Sequence, residues 1–190
     1  MKEIVRLVVV LGLICIVAGL TLAGVHQLTL TPIEYQRLLI KEKAIKAVLS
    51  DYNNNPLQDR VKLPAGKDKK GKDIFKNVFP AKKDGKVIAL ALDEGEPGYS
   101  GVINVMVGLA PEGKILGLSI VSHTETPGKG SRVTEADYTQ KYKGISEADI
   151  SKIDTISGAT ISSKAVVRAV TKAVQFYTKN KDAILAQMGK

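Results

Sequence analysis

Hydrophobic residues fall along this chain in two regimes. From Ile4 to Val25 they form an almost continuous run, with Lys2 and Arg6 at its head. That is long enough to cross a bilayer core of about 30 Å. Beyond it the apolar positions become periodic. Leu38, Leu39, Ile45, Val48 and Leu49 recur among Lys, Arg and Glu. This predicts an amphipathic helix opening at Thr31-Pro32, with Thr31 as cap and Pro32 in the first position. Asp51 to Gly71 is polar, contains Pro56 and Pro64, and is expected to be irregular apart from one short strand; the Lys67–Lys72 cluster reads as a solvated loop.

Strand patterns follow. Ile74–Pro80 and Lys86–Leu92 read as extended, the second apolar enough for burial on both faces. Gly95-Glu96-Pro97-Gly98 predicts a turn. Gly101–Leu109 and Lys114–Ser122, joined at Pro111-Glu112-Gly113, predict a β-hairpin. Asp137–Ile150, with Tyr138, Tyr142 and Ile145, predicts a short helical segment against the sheet. Ile153–Ile156 reads as extended and Gly158-Ala159 as a turn. From Ile161 onward Val166, Val170, Ala173, Val174 and Tyr177 mark one face of a helix ending near Asn180, with a last short turn from Asp182 to Met188.

The order predicts an α+β chain: an N-terminal transmembrane helix, then one domain with a twisted, mainly antiparallel sheet flanked by helices. Residues 1–30 form the cytoplasmic tip and anchor, 31–72 a membrane-proximal helix and irregular segment, and 73–190 the extracytoplasmic domain. Lys2 and Arg6 place the N-terminus in the cytoplasm, and a large following domain crosses largely regardless of its lysines. A cleaved signal peptide is the competing reading. Its apolar core is usually about 7–15 residues, and Thr21-Leu22-Ala23 is a weak cleavage site. Ile14 before Cys15 breaks any lipoprotein box, so an uncleaved anchor is expected.

Composition narrows the chemistry. One Cys excludes an internal disulfide and a four-thiolate iron–sulfur cluster. His26 and His123 lie too far apart in sequence to suggest a His-based metal site. The net charge of +9 comes without Trp and without a basic stripe interleaved with aromatic rings, so nucleic acid is not the expected partner.

Two stretches carry candidate chemistry. Asp154 to Ser163 joins an extended segment, a turn of small residues and a helix start, which leaves backbone N–H groups where a phosphate can approach. The hydroxyls of Ser157, Thr160, Ser162 and Ser163 crowd that spot, and Asp154 lies just upstream. Ser and Thr are equally what any capped helix start requires, so spacing alone stops at a phosphate-friendly turn. The second stretch, His123-Thr124-Glu125-Thr126-Pro127-Gly128-Lys129-Gly130, is a loop at a strand end. By itself it reads as an ordinary connection. No Gly-x-Ser-x-Gly elbow is present, which argues against a Ser-His-Asp hydrolase and leaves a cofactor-free anchored binding module as the alternative from another class.

Asp154-x-x-Ser157-Gly158-Ala159-Thr160 resembles the flavinylation motif of the FMN-binding domain family. That family includes the G subunit of Rnf electron-transport complexes and the C subunit of the sodium-translocating NADH:quinone reductase. His123, Glu125, Thr126, Pro127, Gly128 and Gly130 meet every fixed position of the family's second element, which lies against the isoalloxazine ring. Gly98-Tyr99-x-Gly101 resembles a third. The resemblance implies FMN joined by a phosphoester bond to the Thr160 hydroxyl, made from FAD by a dedicated flavin transferase in the presence of magnesium. It implies Asp154, Ser157, Gly158, Ala159, Ser162, Ser163, His123, Glu125, Thr126, Pro127 and Gly128 as further cofactor-binding residues.

It also implies an electron-carrier subunit of a ferredoxin:NAD translocating complex, with partners of the Rnf A, B, C, D and E type. No independent catalytic site or metal is implied. The C subunit of the quinone reductase and a stand-alone anchored flavodomain are the alternatives within the same chemistry. Two residues resist simple assignment. A carboxylate at Glu125 beside a ring that gains negative charge would oppose reduction, so orienting a backbone turn or binding the ribityl hydroxyls are the roles expected of it. Asp154 either caps the turn or helps align the Thr160 hydroxyl during attachment.

Overall fold

In the computed structural model, residues 1–67 and 71–188 are described, so half of the loop read at Lys67–Lys72 lies outside the described residues, and Lys67 itself ends a strand. The chain divides into two units, Met1–Ile40 and the remainder from Lys41. The first unit is helical and exposed, within helix α1 (Lys2–Val48), which is long and apolar enough to span a membrane. The expected helix start at Thr31-Pro32 is not observed, because Pro32 lies inside α1. A proline in a helix interior costs about 3 kcal/mol, chiefly through one lost ladder bond and a ring clash. The apolar helix before Pro32 and the amphipathic segment after it continue as one helix through the Thr-Pro signal.

The second unit is built on five strands, β1 (Val61–Lys67), β2 (Asp73–Lys83), β3 (Lys86–Pro97), β4 (Val102–Leu109) and β5 (Ile115–Ser122). They pair in sequence order, every neighbour antiparallel. Alternation along β3 sends Leu90 and Leu92 to one face and Ala89 and Ala91 to the other, and all four are buried. The larger face packs against the final helix α3 (Thr160–Met188) through Ala165, Val166, Ala169, Val170, Ala173, Val174 and Tyr177. Each fully buried Val in that stripe contributes about 1.5–3 kcal/mol relative to exposure. The smaller face takes Ala44, Ile45 and Val48 from the end of α1 and Leu49 just beyond it. Gly108 makes that approach possible, since a Cβ there would collide with the Val48 carbonyl.

The β4–β5 hairpin is as expected, closed by Ala110 N–H to Lys114 O at 2.9 Å and Gly113 N–H to Ala110 O at 2.8 Å. The turn expected at Gly95–Gly98 is displaced. Gly95, Glu96 and Pro97 continue β3 by pairing with Asn104, Ile103 and Val102, and the chain reverses at Gly98–Gly101, where Gly98 N–H reaches Gly101 O at 2.7 Å. Pro97 is tolerated because it ends the strand. Between β5 and α3 run short helical pieces, Gly130–Thr134, α2 (Ala136–Thr139), Gln140–Tyr142 and Glu147–Lys152. Helix α3 carries a kink at Asn180, where the periodic apolar run stops.

Candidate functional site

Register places three segments at one end of the sheet. The Gly98–Gly101 turn joins β3 to β4, and Ser122 at the end of β5 pairs with Asn104 near the start of β4. The loop from His123 therefore emerges beside that turn. The start of α3 completes the group and is fastened from below. Ser163 Oγ accepts the Ile156 N–H at 3.1 Å, and Ser163 O accepts the Tyr138 hydroxyl at 3.2 Å. Tyr138 and Tyr142 share a hydroxyl contact of 2.9 Å with rings edge to face. Burial pushes both phenols up in pKa, so they stay neutral.

Glu125 ties the three segments together. Its side chain is buried, the residue only 4% exposed. One carboxylate oxygen accepts the N–H groups of Tyr99 and Ser100, both at 2.9 Å, and the other accepts the Ser162 hydroxyl at 2.5 Å. Burial drives its pKa up, but the bonds from Ser162, Ser100, Tyr99 and Gly101 together outweigh it and hold the carboxyl below its ordinary range. Neighbouring glycines leave room for it. A Cβ at Gly98 would sit 2.5 Å from one carboxylate oxygen, and one at Gly130 would overlap the other.

A second buried carboxylate, Glu96, pairs with Lys172 and with Arg168 at 3.3 Å, while Arg168 also donates to Pro97 O at 2.8 Å. This fixes the end of β3 against α3. The loop itself is folded by Gly128 N–H to Ser131 Oγ at 2.9 Å and by Glu125 N–H to His123 Nδ1 at 3.2 Å.

These segments enclose a cavity of about 520 Å³ lined by Tyr99, Glu125, Thr126, Lys129, Gly130, Gly158, Ala159, Thr160, Ile161 and Ser162. Of the residues named from sequence as cofactor-binding, Glu125, Thr126, Gly158, Ala159, Thr160 and Ser162 line it, as do the motif residues Tyr99 and Gly130. His123, Pro127, Gly128, Asp154, Ser157 and Ser163 do not. Ser163 points inward as a structural tie, and the Ser157 carbonyl accepts Arg132 Nη1 at 3.5 Å. Lys129 escaped the sequence reading because it fills a variable position of the loop motif, and Ile161 because it read as a helix residue.

The hydroxyls differ in availability. Ser162 and Ser163 are buried and already engaged, whereas Thr160 is exposed at the first residue of α3. Gly158, at φ 77°, turns the chain immediately before it. The hydrogen-bond ladder begins with Ser163 N–H to Ala159 O at 2.9 Å, so the N–H groups of Thr160, Ile161 and Ser162 have no intrahelical acceptor. A phosphate at Thr160 meets those donors and the positive end of the helix dipole. The residues present would thus fit a phosphate group at the start of α3, with the cavity beside it.

Residues 98–175, which span the turn, the loop and the start of α3, match the family of the FMN-binding domain. Fold and site together define a protein of that class. Solved structures agree in fold: the C subunit of the Na(+)-translocating NADH-quinone reductase from Parabacteroides distasonis has TM-score 0.55 at 16% identity, covering 80% of this chain and 96% of that one. Shewanella oneidensis NqrC has TM-score 0.50 at 23% identity, covering 71% and 78%. Over nearly its whole length the chain is 31% identical to the G subunit of the ion-translocating oxidoreductase complex of Pseudomonas aeruginosa, covering 97% of this chain and 94% of the relative. It is 28% identical to the G subunit of the proton-translocating ferredoxin:NAD(+) oxidoreductase complex of Clostridium ljungdahlii, covering 88% of each. The chain belongs to the G-subunit family of the ion-translocating oxidoreductase, or Rnf, complexes.

Proposed function

We propose that this protein is the electron-carrier subunit of an Rnf-type ferredoxin:NAD oxidoreductase, holding FMN by a phosphoester bond to Thr160. The observation that carries the reading is the exposed Thr160 hydroxyl at the start of α3, beside a cavity walled by the Glu125-tied segments. Attachment replaces the Thr160 O–H by an O–P bond. With FAD as donor, a flavin transferase using magnesium releases AMP and the proton is lost to solvent. Bound FMN supplies the electron-carrying chemistry. The chain's own residues hold and shield it: the N–H groups at the start of α3 take the phosphate, and the Thr126 hydroxyl on the cavity wall offers a hydrogen bond to the ring system. Glu125 acts by shaping the turn, since its lone pairs are already committed to Tyr99, Ser100 and Ser162. Asp154 is exposed and serves the approach to Thr160 during attachment.

In this reading residues 1–30 anchor the protein with the N-terminus in the cytoplasm, and the folded unit from Lys41, which contains the FMN-binding segment 73–190, works outside. Electrons pass to and from neighbouring subunits of the A, B, C, D and E type; this chain binds neither NAD nor ferredoxin. A covalent link suits that side of the membrane, where lost FMN would not be replaced. Protein co-produced with a flavin transferase is expected to fluoresce as a band on a denaturing gel under ultraviolet light, and Thr160→Ala to abolish the signal. Fluorescence that survives the substitution moves the site elsewhere.

A further inference from the structure

Among the described residues lining the cavity beside Thr160, two carry charge, and their signs are opposite. Glu125 is buried and held ionised by donors from two other segments. Lys129, four residues on in the same loop, is exposed. Its backbone N–H is fixed to Thr126 O at 3.2 Å, which keeps it on the cavity wall. The remaining lining residues are neutral, and the phosphate has its own counter-charge in the N–H groups at the start of α3.

A two-electron reduction that takes up one proton leaves one added negative charge on a flavin ring. We propose that Glu125 and Lys129 set the potential of the flavin in this cavity by opposing effects, the carboxylate lowering it and the ammonium raising it. The inference rests on the reading that FMN is held at Thr160. The two effects differ in character as well as sign. A charge out of contact with water acts through a low effective dielectric and is little screened, whereas an exposed one is screened within about 8–10 Å at ordinary ionic strength. Glu125 therefore acts at any salt concentration, and Lys129 most strongly at low salt.

The test is redox titration of the full-length, flavinylated protein in detergent, at low and high salt, with Glu125→Gln, Lys129→Gln and Lys129→Glu. Gln at 125 keeps an acceptor for Tyr99 and Ser100 and a polar partner for Ser162 while removing the charge. Its midpoint potential is expected to rise at both salt concentrations. Lys129→Gln is expected to lower the potential, Lys129→Glu to lower it further, and both shifts to shrink at high salt. A perturbation of packing alone has no reason to produce opposite signs or this salt pattern. Potentials that do not move, or that move the same way for both residues, overturn the proposal. So does a Lys129→Glu protein whose potential is unchanged but whose flavin attachment slows, since Lys129 would then serve the phosphate. If Glu125→Gln does not fold, the Lys129 pair and its salt dependence decide alone. Wild-type protein that carries no flavin defeats the underlying reading instead, so the two failures are distinguishable.

Discussion

Glu125 shows how much one side chain can organise. Removing its carboxylate leaves the part-buried Tyr99 and Ser100 N–H groups and the buried Ser162 hydroxyl without their acceptor; a buried donor left unpaired costs about 1–3 kcal/mol, and the N–H groups nearer water cost less. Glu125→Ala is expected to lower unfolding stability by about 2–3 kcal/mol in a urea titration, and a loss under about 1 kcal/mol would refute the tie. Its pKa is depressed in the folded protein. The stabilisation is therefore complete above the pKa of the unfolded carboxyl and is lost as pH falls through the folded value. Urea midpoints of the wild type should fall on the acid side of the ordinary carboxylate range more steeply than those of Glu125→Gln. Identical slopes would remove Glu125 as the cause. From sequence the residue was recognisable as special only through the loop motif; that its oxygens turn toward Gly98–Gly101 and Ser162 depends on contacts 25–37 positions away.

At the scale of elements, the start of α3 depends on small residues and on inward ties. Ser163→Ala strips the partner from the Ile156 N–H, and Gly158→Ala forces a side chain into a left-handed conformation. Each is expected to cost about 1–2 kcal/mol of stability by urea titration. Both should also reduce the fraction of protein flavinylated; undiminished attachment would show that the turn's shape is dispensable. Alternation and helical period were enough to read the β4–β5 hairpin and the apolar face of α3, because both patterns are local. The displaced turn at Gly98 was not readable in the same way. Gly-Glu-Pro-Gly carries strong turn chemistry, and only pairing with Asn104, Ile103 and Val102 overrides it. Pro32 misled for the same reason: a local signal was outvoted by the helix on either side.

For the whole molecule, hydropathy separated an anchor from a folded unit, and the unit from Lys41 onward holds both core clusters. The contribution of Ala44, Ile45, Val48 and Leu49 to the sheet's smaller face means that folding should depend on residues well before the FMN-binding match. A chain beginning at Lys41 is expected to keep a cooperative unfolding transition, whereas one beginning at Asp51 should lose it; equal behaviour would show that face to be unimportant. Trypsin cuts after Lys152 and Lys164, releasing a peptide that carries Thr155, Ser157, Thr160, Ser162 and Ser163. Tandem mass spectrometry of this peptide from native membranes is expected to find it heavier by FMN less one water, with fragmentation placing the added mass on Thr160. An unmodified peptide, or flavin on one of the other four hydroxyls, would contradict the account.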